Sequence, residues 1–148
     1  MPTYTQVLYH IVFSTKNRAR VLLPNERDKL FRYVWGIVNA KNCHLYRING
    51  TEDHIHVLTS LHPTQALSSF VRDVKIASSK WIKDNNVFGA FPGWQDGYGA
   101  FTHSIQEKDA LIEYIKSQEL HHKKMSFREE LEKLLNEAGI EFDGNYLL

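Results

Sequence analysis

A single cysteine, Cys43, stands among 148 residues. That excludes an intrachain disulfide and any zinc site built from several cysteines, so stability has to come from packing; a reducing compartment suits such a chain. Long apolar runs are missing as well. Stretches such as Val21-Leu22-Leu23 fall far short of the ~20 residues that span a bilayer. The first residues also lack a charged segment leading into an apolar stretch of roughly 7–15 residues. The expectation is a cytoplasmic protein, neither exported nor membrane-bound. Neither sign of charge dominates: 18 Lys and Arg face 17 Asp and Glu, for a formal +1. Bulk charge therefore announces no polyanionic partner. Repeats and low-complexity segments are absent. With 43% hydrophobic and 24% charged residues, the composition excludes a disordered chain, collagen or a coiled coil. The length predicts one domain over residues 1–148.

The pattern of apolar residues predicts an α+β fold. Residues 4–14 are rich in β-branched and aromatic side chains and carry neither Pro nor Gly, which predicts a long central strand. Pro24 suits the first turn of a helix, and Leu30, Phe31, Val34, Ile37 and Val38 then recur at helical spacing up to Lys41-Asn42. Residues 43–48 and 54–60 read as two strands joined by residues 49–53, in which Asn49-Gly50 is the dipeptide most diagnostic of a hairpin turn. Thr64 is the expected cap of a second helix that carries Leu67, Phe70, Val71, Val74 and Ile76 toward Trp81. Residues 85–97 are punctuated by Gly and Pro and predict a packed loop, followed by a fourth strand over 98–104. A third helix is expected over 107–121. Ser126 and Glu129 form a capping-box pattern before a last helix that Gly139 stops. This order, β-α-β-β-α-β plus two helices, predicts a ferredoxin-like (RRM-like) split βαβ sandwich: an antiparallel sheet with helices on one face, then a tyrosine-bearing helix and a tail helix.

Two constellations carry chemistry. His54-Ile55-His56 lies within a predicted strand, where side chains alternate, so both imidazoles leave one face roughly 6.6–7 Å apart by rise. Two such nitrogens can converge on one metal, while Ile55 and Val57 pack on the opposite face. On the third helix, Tyr114 and Gln118 are four residues apart at the edge of an apolar stripe, so they point together. A tyrosine hydroxyl, with a pKa near 10, is a poor nucleophile until a cation or a polarised phosphate favours attack; a Gln carbonyl oxygen can ligate a hard metal. The plainer reading leaves two partly exposed histidines, a core-edge tyrosine and a surface glutamine.

His-x-His followed 58 residues later by Tyr-Ile-Lys-Ser-Gln resembles the HUH single-tyrosine transposases of the smallest bacterial insertion sequences, to which REP-associated tyrosine transposases are related. The resemblance takes in Tyr9 to Phe13 leading into Thr15-Lys16-Asn17-Arg18, then Asp53 to His56, Trp94-Gln95 with Gly97 to Phe101, Tyr114 to Gln118, and Gly139 to Asp143. It implies that His54 and His56 bind a divalent metal, Mg2+ or Mn2+, with Gln118 as third ligand, and that Tyr114 attacks a phosphate of single-stranded DNA. The products would be a 5′-phosphotyrosine and a free 3′-hydroxyl. It further implies recognition of DNA hairpins and a homodimer whose tyrosine helix acts in cis or in trans. Lys16, Arg18, Arg20, Arg72 and Lys75 are the candidate DNA contacts, since a local basic groove suffices for a single strand.

Other residues receive plainer expectations. His10 reads as a hydrogen-bonded core histidine ahead of a supporter of the metal histidines. His121-His122 read as a polar helix end ahead of a contact to DNA or to the metal region. Asp53 either orients a metal histidine or belongs to the turn. Two other functions compete with an active transposase. One is a host-adopted DNA-binding relative that has lost transposition, which the intact His54, His56, Tyr114 and Gln118 set argues against. The other is a small-molecule metal hydrolase or oxygenase, for which no third His or carboxylate ligand is read from a strand, where such sites usually take it.

Overall fold

In the computed structural model, which describes residues 1–147, the element order is the expected one, with a break in the third helix. Strand β1 (Leu8–Ser14) is followed by helix α1 (Pro24–Ala40), strands β2 (His44–Gly50) and β3 (His54–Ser60), helix α2 (Leu67–Asp84) and strand β4 (Gly99–His103). Helices α3 (Lys108–Lys116), α4 (Gln118–His121) and α5 (Phe127–Glu137) complete it. Leu148, the last residue of the domain expected over 1–148, lies outside the described residues. The strands form one antiparallel sheet in the order β2-β3-β1-β4, the topology of a split βαβ sandwich.

Side-chain alternation gives the sheet two working faces. Ile11, Phe13, Ile55 and Val57 leave one face and pack with Leu30, Val34 and Val38 of α1 and Phe70, Val71 and Val74 of α2, the main core. Leu8, Val12, Leu58 and Phe101 leave the other, where Ile115 of α3 and Phe127 and Leu135 of α5 cover them. His10, His54 and His56 share that second face, because Ser14 pairs with His54, Val12 with His56 and His10 with Leu58. The three C-terminal helices thus cover the face that α1 and α2 leave open.

Several boundaries differ from the sequence expectation for physical reasons. β1 starts at Leu8 because its neighbours end opposite it, at Ser60 and His103; residues 4–7 are exposed. Thr64 does not cap α2. Its hydroxyl instead hydrogen-bonds His62 Nδ1 at 2.7 Å, and the helix begins three residues later. Asn49-Gly50 is not the hairpin turn but the end of β2, and residues 51–53 make the connection. Gly50 is required there by close approach: a Cβ would collide with the His54 carbonyl oxygen. The 85–97 loop packs as expected, burying Phe88 and Phe91 and setting Trp94 edge-on to Phe13. Ser126 caps α5, and Gly139 stops it at φ +69°.

The helix expected over 107–121 breaks at Ser117. The carbonyls freed at the end of α3 find a donor in the sheet: Asn49 Nδ2 reaches Ile115 O at 3.0 Å and Lys116 O at 3.1 Å. The break is therefore pinned to β2, one turn after Tyr114.

Candidate active site

The site is built outward from β3. Its two histidines each have Nδ1 tied down and Nε2 turned inward. Asp53 Oδ1 lies 2.7 Å from His54 Nδ1, with the Thr51 hydroxyl 3.1 Å from both. His10 Nε2 lies 2.7 Å from His56 Nδ1 across the strand pair, and the two rings stack at 5.0 Å. A carboxylate behind one imidazole and a hydrogen-bonded ring behind the other is how proteins fix the tautomer and aim of metal-binding histidines. Asp53 thus orients His54, and His10 supports His56 while sitting in the core. Phe127 stacks on His54 at 4.3 Å and closes that side.

The inward nitrogens meet one carboxylate, that of Glu130 from α5. Its Oε1 is 3.0 Å from His56 Nε2, 2.9 Å from His122 Nε2 and 3.4 Å from His54 Nε2. Its Oε2 accepts from Gln118 Nε2 at 2.9 Å and from the Tyr114 hydroxyl in a very short hydrogen bond. Gln118 Oε1 is in turn 3.2 Å from His54 Nε2. Glu130, Gln118, His54 and His56 are all fully buried. Tyr114 and Gln118 therefore do meet, although a helix break separates them, and they meet on a residue that sequence reasoning passed over. His122 joins the His54–His56 cluster through Glu130 instead of forming only a polar helix end, and His121 stacks on Tyr114 at 4.8 Å.

Electrostatics follow from this packing. Burial alone would raise Glu130, but hydrogen bonds from His122, His54 and His56 hold it far below the usual carboxylate range. Burial likewise opposes protonation of His54, yet Asp53 and Glu130 raise its pKa above the ordinary value. His56 is lowered to about 4, chiefly by burial, against the pull of Glu130. His10 is lowered to about 3 by burial and by the facing His56. Burial and the Glu130 carboxylate push the Tyr114 phenol well above its usual value. One ligand atom from each of His54, His56, His122 and Glu130 lies within 4.8 Å of all the others, so the residues present suit a divalent cation.

The candidate DNA-contacting cations divide. Lys16 and Arg18 form a short 3-10 turn that leaves β1 beside the site, where Thr15 N donates to Asp53 O at 2.8 Å; Lys16 and Arg20 are exposed. Arg72 is exposed and pairs with Asp73 at 3.2 Å. The Lys75 ammonium is instead committed to the loop, donating to Gln95 O at 2.8 Å and Gly97 O at 2.5 Å. Between β1, this loop and α5 lies a cavity of about 270 Å³, walled in part by Phe127, Phe142 and Tyr146. The C-terminal segment docks on its own chain, with the Arg128 guanidinium donating to Gly144 O and Leu147 O.

A family model described as IS200-like transposase matches residues 3–118. The ISDra2 transposase TnpA of Deinococcus radiodurans is 28% identical over 123 residues, covering 76% of this chain and 84% of that relative. A crystal structure of a Deinococcus radiodurans R1 protein assigned as a transposase superposes with a TM-score of 0.59 at 25% identity, covering 80% of this chain and 95% of that one. The structure of a REP-associated tyrosine transposase bound to a REP hairpin superposes with a TM-score of 0.61 at 16% identity, covering 82% of this chain and 74% of that one; it bears on the fold alone. The family match ends at Gln118, so His122 and Glu130 lie beyond it.

Proposed function

The chain belongs to the IS200-like transposase family, and from that premise we propose that it cuts and rejoins single-stranded DNA at insertion-sequence ends through Tyr114. The observation that carries this reading is the convergence of Tyr114, Gln118, His54 and His56 on one buried point, the strand supplying the histidines and the helices that cover the same sheet face supplying the tyrosine and glutamine.

In this reading the Tyr114 hydroxyl oxygen attacks a backbone phosphorus. The P–O bond to the 3′-oxygen breaks, leaving a 5′-phosphotyrosine and a free 3′-hydroxyl, and the bond energy retained in the phosphotyrosine drives rejoining without external energy. His54 and His56 hold a divalent metal with Gln118 in the same donor group, Mg2+ or Mn2+ being the ions expected from the sequence. When bound, the ion withdraws charge from the phosphate and eases attack. The protein's own part is positioning. Asp53 and His10 aim the imidazoles, and the Asn49-pinned break fixes the tyrosine beside them, replacing a bimolecular encounter. The raised Tyr114 pKa keeps the nucleophile protonated until DNA and cation enter.

Hairpin DNA is the proposed substrate; the REP-associated transposase of the same fold is seen bound to a REP hairpin. Lys16, Arg18, Arg20 and Arg72 are the cations proposed to follow its phosphates. One chain supplies both the tyrosine and the histidines, which favours assembly in cis; the edges at β2 and β4 are left for a homodimer that joins two sheets. Residues 1–148 work as one domain in this reading. The test is incubation with 5′- and 3′-labelled hairpin oligonucleotides from the flanking DNA, with Mg2+ or Mn2+ or with EDTA, resolved on a denaturing gel. A metal-dependent adduct carrying only the 3′-side DNA, absent in Tyr114→Phe, is expected. Hairpin binding without any adduct would instead support the DNA-binding relative that has lost transposition.

A further inference from the structure

We propose that His122 and Glu130 complete a three-histidine, one-carboxylate metal centre with His54 and His56, selective for a first-row transition ion, and that the second Glu130 oxygen positions the Tyr114 hydroxyl beside that ion. The inference rests on the metal-dependent reading above and goes beyond its His54, His56 and Gln118 ligand set.

Three observations carry it. The first is spacing: in a tetrahedral site with ligands at 2.0–2.1 Å, neighbouring donor atoms sit about 3.3 Å apart. Glu130 Oε1 lies 2.9, 3.0 and 3.4 Å from the Nε2 atoms of His122, His56 and His54. Glu130 Oε1 is therefore already near the spacing of neighbouring ligand atoms, and all four donor atoms lie within 4.8 Å of one another. The second is charge. Glu130 is fully buried, and its ion-pair partners among the described residues are imidazoles alone, with neither Lys nor Arg in reach. A buried carboxylate facing only titratable rings is a site that a cation completes. The third is the division of labour between its two oxygens: Oε1 faces the three rings, while Oε2 holds Tyr114 and Gln118. Gln118, through its amide nitrogen, sets which oxygen turns toward the ion.

The donor chemistry selects the ion. Three imidazoles with one carboxylate suit Mn2+ and, more strongly, Co2+, Fe2+ or Zn2+, whereas Mg2+ prefers an octahedron of oxygens and keeps several waters. Glu130 is thus a positioning residue for the nucleophile as well as a ligand. Loading the ion and aiming the tyrosine pass through the same carboxylate.

The test is calorimetric titration of the full chain with Co2+, Mn2+ and Mg2+, with the visible Co2+ spectrum recorded, for the parent, Glu130→Gln, His122→Asn and His54→Asn. The parent should bind one Co2+ roughly 100-fold more tightly than Mg2+, with Mn2+ between them. Glu130→Gln and His122→Asn should each weaken Co2+ at least about tenfold and shift its absorption bands. With Mn2+ saturating, Glu130→Gln should also slow adduct formation at least about tenfold at unchanged DNA affinity. If Glu130→Gln fails to fold by thermal melting in EDTA, His122→Asn decides, since it leaves the carboxylate in place. Unchanged Co2+ affinity and spectrum in both variants, or Mg2+ binding as tight as Co2+, would overturn the inference. Should His54→Asn alone then abolish binding, the proposed function survives without this extension. A folded parent that binds no ion removes both.

Discussion

At the scale of single residues, function turns on which side chains aim others. Asp53 touches His54 only from behind, through Nδ1. Asp53→Ala should therefore weaken metal binding about 10–100-fold with little loss of fold, read by calorimetry alongside a urea melt; unchanged affinity would reduce Asp53 to a turn residue. Much of this level was legible in the sequence. His54 and His56 announce themselves by strand alternation, and Tyr114 and Gln118 by helical spacing. Glu130 was not, because it directly follows Ser-x-x-Glu at 126–129, where acids in a first helical turn serve capping and the dipole. A signal existed nonetheless. Glu130 falls three residues after Phe127 and four before Leu134, inside the apolar stripe of its helix, where an acid has no place unless something buried needs it. His122 lay hidden for another reason, since adjacent histidines and lysines at a helix end normally serve the dipole and solvent.

At the scale of elements, the break between α3 and α4 sets the tyrosine. Asn49 holds it by donating to two carbonyls of the last α3 turn. Asn49→Ala should cost about 0.5–1.5 kcal/mol in urea unfolding, because two partly solvated carbonyls lose their partner, and should slow adduct formation more than it weakens DNA binding. Slowing without destabilisation would point to direct substrate contact instead. The sequence could not reveal this break: residues 107–121 contain neither Gly nor Pro, and the side chain that holds the end of α3 lies 66 residues from Ile115. Helix and strand identities were legible because tertiary packing followed local periodicity, whereas the Asn49-Gly50 turn was not, since both residues had tertiary uses that overrode their turn preference. The basic segments divide at this scale too. Lys16→Ala and Arg72→Ala should each reduce the salt dependence of single-strand binding, by about 0.7 in log-log slope for each phosphate no longer neutralised. Lys75→Ala should leave that slope alone and loosen the 93–97 loop to proteolysis, because its ammonium is held by loop carbonyls.

At the scale of the whole molecule, the buried histidines make stability depend on pH. In the metal-free protein His10 and His56 titrate near 3 and 4, below the ordinary 6.5, so unfolding takes up protons between these limits. Their contribution is present above about pH 6.5 and lost as pH falls toward 4, at up to about 1.4 kcal/mol per pH unit for each proton. His54 works in the opposite sense. Its raised pKa stabilises below 6.5 and fades as pH rises through the folded value. Urea unfolding in EDTA should show stability falling from pH 6.5 to 4, and a flat profile would contradict the buried neutral pair. In the proposed function, fold, metal and nucleophile meet in one covalent event, the joining of Tyr114 to a DNA 5′-phosphate. The measurement that tests it most directly is mass spectrometry of the proteolysed protein after reaction with single-stranded hairpin DNA and Mn2+. A nucleotide-modified peptide with the phosphate on Tyr114, lost in EDTA, is the expected result. A modification on any other residue, or DNA cleavage with Tyr114 unmodified, would contradict it.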